Sequence, residues 1–199
     1  MPLFKRKKSG RVAIIRVDGV ISDSEKDSTR TKIIKNLNTA YKQQVKAIVL
    51  RINSPGGTVG ASQELFAAIR KVREKGIPVV ASMSDIAASG GVYIALAADK
   101  IVANPGTITG SIGVIISSPN AAELLQKVGV GANVVKSGPY KDVLSPYRGM
   151  TDEERALIQG VINDAYAQFV EAVSSGRQIP VERVKEFADG RIFTGRQAK

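Results

Sequence analysis

The chain has 199 residues, of which 43% are hydrophobic, and its formal net charge is +11. It contains neither histidine nor cysteine, which excludes disulfides, thiolate chemistry, cysteine-based zinc sites and a Ser-His-Asp triad. A transition-metal site would need carboxylates alone, and no carboxylate cluster stands out in the sequence. We therefore expect no metal and no cofactor.

The positive charge is dispersed, except in a basic N-terminal tail (residues 1–10) that carries Lys5-Arg6-Lys7-Lys8. A solvated basic surface, an anionic membrane surface and nucleic acid are the general interpretations of such charge. No helix-turn-helix or aromatic RNA-binding motif accompanies it, so we expect no nucleic-acid partner. No apolar run approaches the ~20 residues that span a bilayer, and no signal-peptide segment follows the tail.

Hydrophobic periodicity predicts strands alternating with helices through most of the chain. In chain order, the predicted elements are a strand at 11–21, a helix at 24–44, a strand at 46–53, a helix capped by Thr58, a strand at 78–83, a helix from Ser89 to Ala98, a strand at 100–103, a loop at 104–113, a helix at 121–128, a strand at 133–135, a helix from Thr151 to about Ser174 and a helix at 181–188. This alternation predicts an α/β fold with a mainly parallel sheet. We expect one domain, 11–199, with a helical extension from about 151.

A serine in the run Ala88-Ser89-Gly90-Gly91 is the strongest candidate for a nucleophile. Small residues before it and glycines after it favour a tight strand-to-helix turn that projects the side chain into a cleft. Because the chain has no histidine, the remaining common way to activate such a serine is an uncharged lysine. The ordinary interpretation of Ser-Gly-Gly is a structural turn.

Two further glycine-rich turns follow predicted strands, namely Ser54-Pro55-Gly56-Gly57 and Gly110-Ser111-Ile112-Gly113. The ends of parallel strands meet at one edge of a sheet, where open α/β folds place their sites. Glycines in the first turn and the N–H after Ser89 could supply the donors of an oxyanion hole. Neither a Walker A motif nor Gly-x-Gly-x-x-Gly is present.

The chain resembles the signal peptide peptidase A (protease IV) family over about residue 12 to the C-terminus. The matching segments are Asn53–Gly57, Ala88–Ala95, Ala98–Ile101, Gly106–Val114, Lys136–Asp142 and Gly190–Ala198. Members are serine peptidases of the Clp-protease/crotonase fold. The family usually continues beyond the last motif and carries an N-terminal membrane anchor. We therefore expect this chain to be short at its C-terminus and without an anchor, although the family's catalytic domain is usually membrane-associated and extracytoplasmic.

The resemblance implies a Ser-Lys dyad with Ser89 as nucleophile and Lys141 as general base. It implies oxyanion-hole N–H groups from Gly56 and Gly90, and a Ser111 hydroxyl that orients the lysine amine. An extended peptide substrate would lie as a strand beside Gly57. A lysine has an ordinary pKa of about 10.4, so a lysine base must be desolvated or lie near other positive charge.

Lys136 is the rival base, and the Tyr140-Lys141-Asp142 match favours Lys141. The resemblance also implies a homo-oligomer, an octameric ring in which Ser89 of one protomer meets Lys141 of the next. A monomer with the dyad inside one chain is the alternative. The expected substrates are remnant signal peptides and other extended apolar peptides.

Two other functions fit the same sequence. One is a crotonase-like acyl-CoA hydratase or isomerase, which would use catalytic carboxylates, and Asp85 is the acidic residue near the Ser89 turn. The other is a non-catalytic membrane-associated scaffold.

Overall fold

The computed structural model describes residues 10–23 and 28–199. Its strands are β1 Val12–Asp18, β2 Ala47–Ser54, β3 Val79–Ala88, β4 Lys100–Ala103, β5 Ile108–Gly110 and β6 Ile192–Thr194. Its helices are α1 Thr29–Lys42, α2 Val59–Glu74, α3 Gly90–Ala95, α4 Ala122–Lys127, α5 Asp152–Arg177 and α6 Val181–Lys185.

The strands form a single mostly parallel sheet in the order β1-β2-β3-β5-β6, with β4 also paired to β3. Only the β5–β6 pair of the described strands is antiparallel. Strand β3 is shared between two neighbours, since Val80–Met83 pair with β4 and Ile86–Ala88 pair with β5. The expectation of an α/β fold with a mainly parallel sheet is confirmed.

A bend in β3 separates these two pairings. The register with β2 runs evenly up to Ile52↔Met83 and resumes at Ser54↔Ala87, so β3 carries two extra residues there. The side chain of Asn53 spans the bend: its Oδ1 accepts from Ile86 N at 3.2 Å. Bulges of this kind re-aim a strand, and here the re-aimed segment leads directly into Ser89.

Helices α1 and α2 bury amphipathic faces that include Ile33 and Leu37 in α1 and Leu65 and Ile69 in α2. Burying each such side chain contributes about 1.5–3 kcal/mol. The buried side chains of β2 alternate with half-buried ones, as a sheet with one well-covered face requires. This core supports the strand ends at which the glycine-rich turns lie.

The chain divides into two compact units, the residues up to Gly113 with Gln168–Lys199, and Val114–Ala167. The domain bounds given above stay a prediction. Among the residues described, no helix combines the length and apolar character needed to cross a membrane.

Several predicted elements differ from the structure. The segment 104–113 is not wholly a loop, because it contains β5. Residues 133–135 form no strand: Val135 is fully exposed, and β-branched residues without a partner strand gain nothing from an extended conformation. Strand β6 was not predicted. Residues 24–27 of the predicted first helix, and the basic run 5–8, lie outside the described residues.

Candidate active site

Ser89 lies between the end of β3 and the start of α3, as the sequence predicted. Its backbone has φ +50° and ψ −119°, a conformation that non-glycine residues rarely adopt and that is common at functional sites. Its N–H donates to the Gly110 carbonyl at 2.9 Å, and its own carbonyl accepts from Tyr93 N at 2.9 Å. The Oγ makes no capping bond to α3, so the hydroxyl is not committed to holding the helix.

Helix α3 is fixed by aromatic packing. The Tyr93 ring lies edge-on to Phe66 of α2 and to Phe169 of α5, with centroids 5.2 and 5.0 Å apart. Each such pair contributes about 0.5–1.5 kcal/mol beyond its buried area. The helix that follows Ser89 is therefore anchored on two sides.

The turn after β2 is held in place by hydrogen bonds to the backbone of Ile21. The Gly56 carbonyl accepts from Ile21 N at 2.8 Å, and Thr58 N donates to the Ile21 carbonyl at 2.9 Å. A Cβ on Gly57 would lie 1.8 Å from that same carbonyl oxygen. Position 57 thus has no room for a side chain.

This turn lies directly against the Ser89 turn. A Cβ on Gly56, which has φ +107°, would lie 2.8 Å from Ser89 Cβ and 2.7 Å from Gly90 N. A Cβ on Gly90 would lie 3.2 Å from Gly57 N and 2.5 Å from Ser62 Oγ. The structure therefore brings together Ser89, Gly56, Gly57 and Gly90.

The amides of these glycines are not equivalent. The buried Gly56 N–H donates to Ser54 Oγ at 3.1 Å. Within the described residues, the N–H groups of exposed Gly57 and of Gly90 at the start of α3 have no acceptor. The contribution of Ser54 was missed by sequence reasoning; its place in the Asn-Ser-Pro-Gly-Gly run was the available signal.

Ser111 follows the residue that holds Ser89. Gly110 accepts the Ser89 N–H, and the half-buried Ser111 has φ +52° and donates its own N–H to the Arg191 carbonyl at 2.8 Å. The antiparallel pairing of β5 with β6 fixes both residues, because Gly110 lies opposite Ile192. Ser111 thus directly follows Gly110, the residue whose carbonyl accepts the Ser89 N–H.

Lys141 belongs to the second unit, where it lies exposed in a turn. Its N–H donates to the Gly138 carbonyl at 3.3 Å. The rival Lys136 is engaged, since its Nζ donates to Asp142 Oδ1 at 2.6 Å and to the Pro139 carbonyl at 3.1 Å. Lys141 is the lysine of the two whose amine has no protein partner among the described residues.

A largely apolar cavity of about 690 Å³ lies in the first unit, and it is lined in part by Gly110, whose carbonyl accepts the Ser89 N–H. Its walls include Val92, Gly110, Ile112, Phe187 and Phe193. Nowhere in the described chain do three or more acidic side chains gather as metal ligands would. Asp85 is exposed and accepts from Asn53 Nδ2 at 3.2 Å, which is a structural role in the β3 bend.

The fold is that of Clp-type proteases. Two solved structures match with a TM-score of 0.63. One is a mutant of the 1510-N membrane-bound stomatin-specific protease at 18% identity, covering 95% of this chain and 75% of that one. The other is a mutant of ClpP1 from Listeria monocytogenes at 16% identity, covering 94% and 85%. At these identities the likeness concerns the fold, and the Clp-protease/crotonase-like fold expected from the sequence is confirmed.

Sequence comparison then gives the family. The model of peptidase family S49 matches residues 71–199, and that of the NfeD1b N-terminal domain matches residues 12–129. The putative protease slr0021 of Synechocystis sp. is 51% identical over 98% of this chain and 69% of its own length. The chain belongs to peptidase family S49, a family of proteases.

Other curated relatives are longer. The putative signal peptide peptidase SppA of Enterococcus faecium is 39% identical over 94% of this chain, and protease 4 of Salmonella typhi is 36% identical over 96%. The chain spans 57% and 31% of these two proteins.

Proposed function

We propose that this protein is a serine endopeptidase in which Ser89 is the nucleophile and Lys141 the general base. The observation that carries the proposal is the approach of the Gly56-Gly57 turn to the Ser89-Gly90 turn, which gathers a serine hydroxyl and available backbone N–H groups in one place. Family S49 membership supports peptide hydrolysis. The hydratase alternative gains no support, because Asp85 is bonded within the β3 bend.

In the proposed reaction, the neutral amine of Lys141 accepts the hydroxyl proton of Ser89 as Oγ attacks the peptide carbonyl carbon. The resulting ammonium gives that proton to the leaving amine when the tetrahedral intermediate collapses. A water molecule, deprotonated by the same amine, then attacks the acyl-ester carbon. As the bond from that carbon to Oγ breaks, the ammonium gives the proton to Oγ, which releases the acid product and regenerates the Ser89 hydroxyl. No metal or cofactor takes part in these steps.

The oxyanion is assigned to the N–H groups of Gly57 and Gly90. The family resemblance implied Gly56 rather than Gly57, but the Gly56 N–H already donates to Ser54 Oγ. Donors 2.7–3.1 Å from the developing oxyanion stabilise it most. In a crystal structure of a phosphonate adduct on Ser89, we expect the phosphonyl oxygen within that range of Gly57 N and Gly90 N.

The proposed substrates are extended apolar peptides, including remnant signal peptides. A strand-like substrate would lie beside the exposed Gly57, and the cavity with Val92, Ile112, Phe187 and Phe193 supports a preference for apolar side chains. One curated relative is named a signal peptide peptidase. Attraction to an anionic membrane surface is part of the proposal, because the net charge is +11.

The dyad is proposed to form between protomers of a homo-oligomeric, octameric ring. Val114–Ala167 is entirely described, and Glu154 is its only buried residue. Large apolar side chains stay uncovered there, with Ile115 85% and Val135 100% exposed. Apolar surface of this kind typically marks a protein interface, and a neighbouring copy would also desolvate the exposed Lys141.

Two experiments test the proposal. A serine-directed fluorophosphonate should add one adduct mass to the intact protein and none to Ser89→Ala. Mixed oligomers of inactive Ser89→Ala and inactive Lys141→Ala chains should regain partial peptide cleavage. No adduct on the wild-type chain would refute Ser89 as nucleophile, and confirmed subunit exchange without recovery would refute the shared site.

A further inference from the structure

The turn that carries Lys141 also carries a carboxylate, on the very next residue. Backbone bonds close the turn, with Val143 N donating to the Tyr140 carbonyl at 3.2 Å and Ser145 N donating to the Asp142 carbonyl at 3.0 Å. A free carboxylate beside a lysine amine favours the charged ammonium. An unpaired aspartate in this position would therefore disfavour the neutral amine that a lysine base requires.

The carboxylate of Asp142 is fully engaged by two other cations. Lys136 Nζ donates to Oδ1 at 2.6 Å, while Arg148 donates through Nη2 to Oδ1 at 2.7 Å and through Nε to Oδ2 at 2.9 Å. Bidentate arginine–carboxylate pairs are strong and directional. The Asp142 side chain is 13% exposed, so the arrangement is partly shielded from water.

Arg148 is itself held by a helix terminus. Its Nη1 donates to Glu154 Oε2 at 2.8 Å, and its Nη2 contacts the other oxygen of Glu154. Glu154 Oε2 also accepts from Thr151 N at 2.9 Å, and Thr151 Oγ1 accepts from Glu154 N at 3.2 Å. This capping box at the start of α5 fixes the guanidinium against Asp142.

We propose that Lys136 and Arg148 are positioning residues that hold the Asp142 carboxylate away from the Lys141 amine, so that the amine is free to accept the proton of Ser89. The inference rests on the proposed role of Lys141 as general base. Lys136 is thereby given a function other than that of a rival base.

The charges around the turn agree with this assignment. Hydrogen bonds from Arg148 and then Lys136 hold the pKa of Asp142 well below its usual range. Besides Lys141, the ionisable groups on the turn and on the segments bonded to it are Lys136, Tyr140, Asp142, Tyr147, Arg148, Asp152, Glu153, Glu154 and Arg155. Of these, Lys136, Asp142, Arg148 and Glu154 form the bonded network. Within the bonded network, the two cations Lys136 and Arg148 are matched by the two carboxylates of Asp142 and Glu154.

Opposite substitutions should move the pH dependence of kcat/KM in opposite directions. Lys136→Gln removes the ammonium that binds the Asp142 carboxylate. The rising limb of the kcat/KM profile should then shift toward higher pH by about one unit, which lowers kcat/KM about tenfold on that limb. Asp142→Asn removes the competing carboxylate and should shift the limb toward lower pH. Adding Asp142→Asn to Lys136→Gln should restore a limb at or below the wild-type position.

Arg148→Gln alone would leave the buried Glu154 without its cation, so the variant to measure is Arg148→Gln with Glu154→Gln. Its limb should move to higher pH, and its activity should recover at high pH. Lys127→Gln removes an exposed lysine from α4 and serves as the charge-matched control, with an unchanged profile.

Suppose that activity falls equally at every pH in Lys136→Gln and in Arg148→Gln with Glu154→Gln, with no recovery at high pH. That result would overturn the inference and leave these residues only a structural role. The failure of the underlying function is distinguishable. If Lys141→Ala keeps wild-type activity, the assignment of Lys141 as general base is wrong. If Lys141→Ala is inactive and the rising limbs of the kcat/KM profiles do not move in the other variants, only the positioning inference is wrong.

Discussion

Gly56 and Ser89 approach so closely that a methyl group on Gly56 would lie 2.8 Å from Ser89 Cβ and 2.7 Å from Gly90 N. Two segments that follow different strands thus share one small volume. The contact leaves room at position 56 for a hydrogen atom but not for a side chain, and the backbone there has φ +107°.

Gly56→Ala is expected to impair the site. The added methyl group meets backbone atoms that cannot rotate away, and the positive φ costs an alanine about 1–3 kcal/mol. We expect phosphonate labelling of Ser89 to slow roughly a hundredfold, because displacements near 1 Å have effects of that size. Gly60→Ala is the control, since a Cβ there meets nothing within 4 Å; equal labelling rates in the two variants would contradict the close approach.

The proposed Ser89–Lys141 dyad predicts that the effects of substituting its two members are strongly non-additive. Ser89→Ala and Lys141→Ala should each lower kcat by roughly a thousandfold or more, and the double variant should be no worse than either, since each partner is ineffective alone. Circular dichroism checks that the fold persists. Near-normal cleavage by Lys141→Ala together with loss in Lys136→Ala would transfer the base to Lys136.

The pH profile should rise toward alkaline values. The proposed base acts as a neutral amine, so kcat/KM should increase about tenfold per pH unit on the rising limb. The chain has no histidine that could produce a limb near neutrality. A flat profile from pH 5 to 9, measured with a peptide whose own charge does not change, would count against a lysine base.

Acid should weaken the second unit through Glu154. The Arg148 hydrogen bond, followed by that of Thr151 N, lowers the pKa of Glu154 to about 2 from an ordinary 4.5. A lowered pKa stabilises the fold above pH 4.5, and this contribution is lost as the pH falls from 4.5 toward 2. In urea unfolding, wild type should therefore exceed Glu154→Gln in stability at pH 6 and approach it near pH 2. A difference that does not change with pH would show that the ion pair is not its source.

The sequence predicted those parts of the site that local patterns encode. Small residues and glycines around Ser89 gave the strand-to-helix turn, and the alternation of apolar segments gave the parallel sheet. Strands β5 and β6 escaped prediction because each has three residues and their pairing joins Gly110 to Ile192, far apart in the chain. The bond from Gly56 N to Ser54 Oγ depends on the turn's conformation, which composition does not specify. Lys141 was assigned from a family resemblance and stays a prediction.

The backbone conformation of Ser89 affects thermal stability. At φ +50° and ψ −119°, position 89 suits glycine better than serine, and a non-glycine residue there costs of order 1–3 kcal/mol. Glycine loses about 0.5–1 kcal/mol more conformational entropy on folding, which offsets only part of that strain. Ser89→Gly should therefore melt at a higher temperature than both wild type and Ser89→Ala while being unable to cleave peptides. If Ser89 is the nucleophile as proposed, thermal stability and activity are opposed at this position, and a selection for thermostability alone would remove the serine.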